Sequence, residues 1–73
     1  MQTFILKDDY IKLGQLLKAA GLVSSGVEAK FVIQDGEVLV NKEVCTMRGK
    51  KIHPGDIVSF CGEELTVQND ENS

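Results

Sequence analysis

Histidine occurs once in this chain, at His53, and cysteine twice, at Cys45 and Cys61. None of the three stands at the Cys-x-x-Cys or His-x-x-x-His spacing that gathers ligands around zinc, and a single histidine leaves little material for an acid/base pair in a pocket. Seven glycines are present, yet apart from Gly14 they scatter over turns and helix ends, and none belongs to a Gly-x-x-x-x-Gly-Lys loop that would cradle a nucleotide phosphate. No metal, cofactor or enzymatic activity is therefore expected. The two isolated cysteines read as small half-buried hydrophobes rather than a disulfide. No apolar run approaches the length that spans a bilayer, and the start MQTFILKDDY lacks the basic opening and small-residue cleavage site of a signal peptide, so a cytoplasmic location is expected. Aromatic residues are few as well. Phe4, Phe31 and Phe60 all fall in core-like patterns, which leaves no exposed aromatic pair for stacking bases.

Positive charge is also scarce, with eight Lys and Arg against eleven Asp and Glu, a net charge of −3. Taken alone, that balance argues against a nucleic-acid partner, whose phosphates draw on a basic surface. Its distribution is uneven. All eight bases fall within residues 1–53 beside six acids, whereas residues 54–73 carry five acids and no base. One face can therefore meet phosphate while an acidic end points away, although a solvated acidic end is the plainer meaning of the same pattern.

The densest information lies in GLVSSGVEAKFVIQDGEVLVN, residues 21–41. Gly21 can close a helix because it lacks the Cβ that penalises a left-handed backbone, and Ser25 with Glu28 forms a Ser-x-x-Glu capping box that opens another. Asp35 and Gly36 stop that second helix, and Val38 and Val40 then set a strand with one apolar face. Before this stretch, Thr3 to Leu6 reads as a strand that must find partners near the C-terminus. Asp8 or Asp9 is expected to cap the first helix. Its apolar stripe comprises Tyr10, Leu13, Leu16, Leu17 and Ala20, and Lys12, Gln15 and Lys18 fall on its polar side. In the second helix Ala29, Val32 and Ile33 supply the buried stripe, Val27 and Phe31 extend it, and Lys30 and Gln34 share an outward face.

After the helices, Asn41 and Lys42 lie at a hairpin. Lysine where a tight turn wants glycine predicts a longer or different turn there. Met47 to Lys51 is a basic loop, His53 to Asp56 a turn, Ile57 to Phe60 a strand, Gly62 and Glu63 a turn, and Leu65 to Val67 a last strand. One domain spans residues 1–68, and residues 69–73 are expected to be a disordered acidic tail. The fold class is α+β, two packed helices on a small, curled antiparallel sheet.

Several of these residues occur in a known order. Lys12-Leu13, Leu16-Leu17, Gly21-Leu22, Ser25, Ala29, Gly36, Val38, Val40-Asn41 and Pro54-Gly55-Asp56 together resemble the RNA-binding domain named after small-subunit ribosomal protein S-four, also called the alpha-L motif. The match is collinear and covers most of the chain. The resemblance implies binding of structured RNA, ribosomal or transfer RNA, mainly through phosphate, with the helix pair and the following loop straddling the RNA backbone. It carries Lys12, Ser25 and Lys30 over to the site, and the basic hairpin and loop add Lys42, Arg48, Lys50 and Lys51, while Gln34 and Asn41 offer neutral hydrogen bonds. Ribosome association and a protein partner follow as expectations from the same likeness. Two positions depart from the pattern: the Arg that normally follows the cap serine is Gly26, and the first-helix Asp is Gly14. Together with the net negative charge, the missing Arg supports an alternative, an adaptor that keeps the fold and binds protein without strong RNA affinity.

Overall fold

Alternation of side chains along a strand puts every second residue on one face, and the apolar sets in this chain fall on a common face of one sheet. The computed structural model describes residues 2–70. In chain order the elements are β1 (Gln2–Leu6), β2 (Ile11–Lys12), α1 (Leu13–Ala19), α2 (Gly26–Gln34), β3 (Val38–Val40), β4 (Glu43–Val44), β5 (Lys51–Ile52), β6 (Ile57–Phe60) and β7 (Glu63–Asn69). Five strands form a sheet in the order β1-β7-β6-β3-β4, and β2 pairs with β5 in a separate two-stranded ladder. Val38 and Val40 of β3, Val58 and Phe60 of β6, and Leu65 and Val67 of β7 are buried. They meet Leu13, Leu16 and Leu17 of α1 and Ala29 and Ile33 of α2 in one core, completed by Leu6, Val23 and Ile52.

The sheet is mixed rather than wholly antiparallel, because β1 runs parallel to β7, with Gln2 opposite Leu65 and Leu6 opposite Asn69. This parallel pair closes the two ends of the chain on each other. It also moves the domain boundary. Gln68 and Asn69 lie in β7, opposite Ile5 and Leu6, and the Asp70 N–H donates to the Leu6 carbonyl at 3.1 Å. Residue 69, expected to open the tail, therefore belongs to the sheet, and residues 71–73 lie outside the described part.

Both helices end in the same way. At Gly21 (φ +77°) and Gly36 (φ +76°) the chain turns left-handed, and the next two N–H groups fold back on the last carbonyls: Gly21 to Lys18 and Leu22 to Leu17, Gly36 to Ile33 and Glu37 to Val32. The beginnings differ. Ser25 caps α2 as its spacing predicts, its Oγ accepting the Glu28 N–H at 3.1 Å. The Glu28 carboxylate, however, accepts from the N–H and Oγ of Ser24, at 2.7 and 2.9 Å, one residue earlier than a capping box requires. The Ser24 N–H bond, then the Ser24 hydroxyl, hold the Glu28 carboxyl below its ordinary value. A depressed carboxylate contributes above its unfolded pKa and loses that contribution as pH falls through the folded one. Ser25→Ala should cost about 1 kcal/mol of stability through the lost cap. Chemical denaturation checks this; an unchanged midpoint and slope would mean that the serine does not hold the helix.

Helix α1 takes its cap from elsewhere in the chain. Asp8 and Asp9 do not cap it; its N-cap is Lys12, with no side-chain bond. The Leu13 N–H instead donates to the Lys50 carbonyl at 2.9 Å and the Gly14 N–H to the Arg48 carbonyl at 3.0 Å. Once Ile11 and Lys12 pair with Ile52 and Lys51, the basic loop lies over the helix head and its carbonyls satisfy the free N–H groups. The loop is thus tied to α1 by backbone.

Four further expectations change. Val27 and Phe31 extend no buried stripe: they are 64% and 58% exposed, and only Ala29 and Ile33 of α2 are fully buried, with Val32 half-buried. Tyr10 lies ahead of α1 and is exposed. The β6–β7 turn is Cys61-Gly62, one residue earlier than expected, which puts Cys61 in solvent at φ +53°, while Cys45 packs half-buried against the core. The β3–β4 connection is the two-residue turn after all, with Asn41 at φ +52° and Lys42 at φ +72° and Val40 opposite Glu43. That twist matches the flanking strands, and the lysine bears the backbone strain. Lys42→Gly should accordingly raise stability by roughly 0.5–1 kcal/mol, because glycine adopts positive φ without a Cβ clash. The denaturation midpoint reads this, and a fall would show that Lys42 makes a compensating contact.

Candidate nucleic-acid interface

The carbonyl bonds that fasten the basic loop to α1 create a groove beside them. Lys12, Gly14, Gln15 and Lys18 from the α1 side, Gly26 at the head of α2, and Arg48 and Gly49 from the loop line a concavity of about 480 Å³. Three cations enter it and no acid. None of Lys12, Lys18 and Arg48 is ion-paired to a carboxylate among the described residues, and the acids of the C-terminal third do not line the groove. The walls are close at Gly14: a Cβ there would sit 3.6 Å from Cβ of Arg48 and 3.7 Å from its carbonyl oxygen, in ordinary contact. Where the resembled pattern carries an Asp at this position, glycine keeps negative charge out of the groove.

The β2–β5 ladder adds an electrostatic tension. Lys12 and Lys51 are directly opposed across it. Directly opposed residues of an antiparallel pair project to the same side, and like charges so placed destabilise the pair. The Lys51 ammonium lies 4.9 Å from the centroid of the Tyr10 ring, an attractive cation–π distance that draws one charge aside. An anion shared by this edge would relieve the rest.

The structure separates the residues singled out in the sequence. Lys12 and Arg48 come together in the groove; Ser25 precedes Gly26 in the chain but does not line the groove, and its Oγ is engaged by the helix cap. Lys30 is exposed one turn beyond Gly26, and Gln34 one turn beyond Lys30. Lys50 and Lys51 line a neighbouring hollow of about 920 Å³ that also holds Glu43, Asp56 and His53, so its charges are mixed; Gly49 borders both concavities. Lys42 occupies the tip of the β3–β4 hairpin and lines neither.

Asn41 is held by the fold. Its Nδ2 donates to Asp56 Oδ1 at 3.1 Å and its Oδ1 accepts the Ile57 N–H at 3.0 Å. Asp56 Oδ2 in turn accepts the His53 N–H at 2.8 Å, closing the Pro54-Gly55 turn, where Gly55 has φ +98°. The Val-Asn and Pro-Gly-Asp motifs are thus two halves of one tie between the hairpin and the turn.

Gln15 and Lys18 were not among the candidates drawn from sequence. They appeared there as the solvated side of α1, and the signal that could have raised them is the three-residue step from Lys12 to Gln15 to Lys18, which fans all three across one side of the helix. Lys18 also lies in the last turn of α1, where a cation suits the helix dipole on its own.

Known proteins share this architecture. Residues 4–68 match the model of the S4 domain. The chain is 41% identical over 68 residues to "Putative RNA-binding protein YbcJ" of Escherichia coli (strain K12), covering 92% of this chain and 97% of that protein. It is 44% identical over 54 residues to "Probable ribosome maturation protein RlbA" of Bacillus subtilis (strain 168), covering 74% and 76% respectively. The solution structure of YbcJ from E. coli, described as revealing an alpha-L motif involved in RNA binding, superposes with a TM-score of 0.72 at 40% identity over 93% of this chain and 87% of that one. With the family model spanning nearly the whole chain and the same two helices on a mixed sheet, this protein belongs to the S4 domain family, a non-catalytic RNA-binding fold.

Proposed function

We propose that the chain binds structured RNA, ribosomal or transfer RNA, by laying a run of backbone phosphates across the groove between α1, the head of α2 and the basic loop. The observation that carries this reading is the groove itself: Lys12, Lys18 and Arg48 converge there without a paired acid. Double-stranded RNA hides its base edges in a deep major groove and offers phosphates and 2′-hydroxyls instead, which a cationic channel with neutral donors such as Gln15 suits. Lys30 extends the contact along α2, and Lys50 and Lys51 reach a neighbouring segment. The names of the E. coli and B. subtilis relatives support the class of ligand and a ribosome-associated role, which we place in the cytoplasm as part of the same proposal.

The test is the electrophoretic mobility of ribosomal and transfer RNA with increasing protein at low and moderate salt. A shift at micromolar protein that weakens with salt is expected. No shift at low salt, together with co-purification of one defined protein, would favour the adaptor that the net charge of −3 suggests.

A further inference from the structure

Nine residues of α2 have to turn one face to the core, and they do so with Ala29 and Ile33. At about 100° per residue, Val27 and Phe31 lie roughly 160° from that face, the most outward positions of the helix. They are 64% and 58% exposed, and they stand four residues apart, so they form one ridge. A helical side chain leans toward the N-terminus of its helix, which sets the Phe31 ring over Val27. The ridge lies beside the groove, one row of side chains away. Gly26, which lines the groove, is followed one turn on by Lys30 and then by Gln34, and this row separates the groove from the ridge.

We propose that Phe31 is a stacking site for an unpaired nucleotide of the RNA, with Val27 supporting the ring, Lys30 meeting the adjoining phosphate and Gln34 offering its amide to the base edge. This rests on the groove reading above and adds what the groove lacks. Phosphate contacts set position but carry no sequence or shape preference for a single base, whereas unpaired bases are recognised by an aromatic face and hydrogen bonds to their edges. The ridge presents both kinds of contact within one helical turn. Its size also selects the occupant: a Phe and a Val, each only partly exposed, offer on the order of 200 Å², far below the roughly 800 Å² per partner of a stable protein interface but enough for one face of a base.

The experiment is a fluorescence-anisotropy titration of two short labelled RNA hairpins, identical except that one carries a single unpaired nucleotide in its stem. The wild-type chain should prefer the bulged stem by about fivefold to tenfold, in keeping with base–aromatic stacking. Phe31→Ala should bind both stems alike, with paired-stem affinity within twofold of wild type and an unchanged thermal melt. Phe31→Tyr should keep the preference. If the wild type binds both stems equally, or if Phe31→Ala retains the preference, the stacking site is wrong while the groove stands. If the wild type binds neither stem at low salt, the groove reading fails and takes this inference with it.

Discussion

Lys12→Glu is expected to weaken RNA binding at least about tenfold while leaving the domain as stable as before or slightly more so. The two effects have one origin. Lys12 lines the groove and lies directly across the β2–β5 ladder from Lys51. Reversal changes its interaction with a phosphate by two unit charges, and at a separation near 6 Å in a water-like dielectric each unit is about 0.7 kcal/mol, so the sum is roughly a factor of ten and more if the groove is partly desolvated. Neutralisation in Lys12→Gln should cost about half as much free energy, close to threefold. On the folded chain, the same reversal turns a like-charge pair into an opposite one, a gain of a few tenths of a kcal/mol. Lys30→Glu should weaken binding in the same direction. Lys7 is the control, being exposed after β1, beside Asp8 and Asp9, and outside the groove. Titrations of one RNA with the four variants check this, and equal losses from the Lys7 and Lys12 reversals would reduce the attraction to a diffuse effect of net charge.

Gly26→Arg is expected to tighten binding by about threefold to tenfold and to add about 0.9 to the magnitude of the salt slope, one further phosphate on duplex RNA. Gly26 lines the groove, its φ lies outside the left-handed region, and a Cβ built there meets nothing within 4 Å. The first carbon of an arginine side chain therefore meets no clash there, and its guanidinium can grip phosphate with two parallel N–H bonds. Replacing glycine in a helix also gains up to about 1 kcal/mol of propensity, offset in part by placing a cation at the positive end of the helix dipole. Gly26→Ala separates the two contributions, since it gains propensity without charge. An affinity that rises equally for alanine and arginine would mean that the RNA does not pass over the head of α2.

Local chemistry was readable in the chain; of the non-local pairing, only the pairing of the first strand with the C-terminal part was. The cap at Ser25, the left-handed stops at Gly21 and Gly36, and the alternation of Val38 and Val40 each depend on a few consecutive residues, and each stands where its pattern puts it. That the first strand pairs near the C-terminus was expected from its need for partners, but its parallel direction and register against β7 are encoded in no short window. The same holds for α1, whose head is capped by carbonyls from residues 48 and 50 rather than by the nearby aspartates. In α2 five of nine residues are Val, Ala, Phe or Ile, so periodicity alone could not say which of them face inward. Packing decided, sending Val27 and Phe31 out. For the site, Lys12 and Arg48 were legible as charges but not as neighbours. It is the loop bond to Gly14 that brings them together and admits Gln15 and Lys18 with them. Asn41 was legible as a motif residue but not in its part, because its partner Asp56 is fifteen residues away.

The central claim is that RNA is held through phosphates by the groove and its extension along α2. Affinity for one structured RNA, measured across a series of salt concentrations, tests this most directly. Three groove cations, with Lys30 added, predict a straight log–log plot with a slope of magnitude about 2–4, at about 0.9 per phosphate neutralised. The plot should be shallower by about one unit in Lys12→Gln. Affinity that holds constant as salt rises, with the same slope in wild type and Lys12→Gln, would contradict the account.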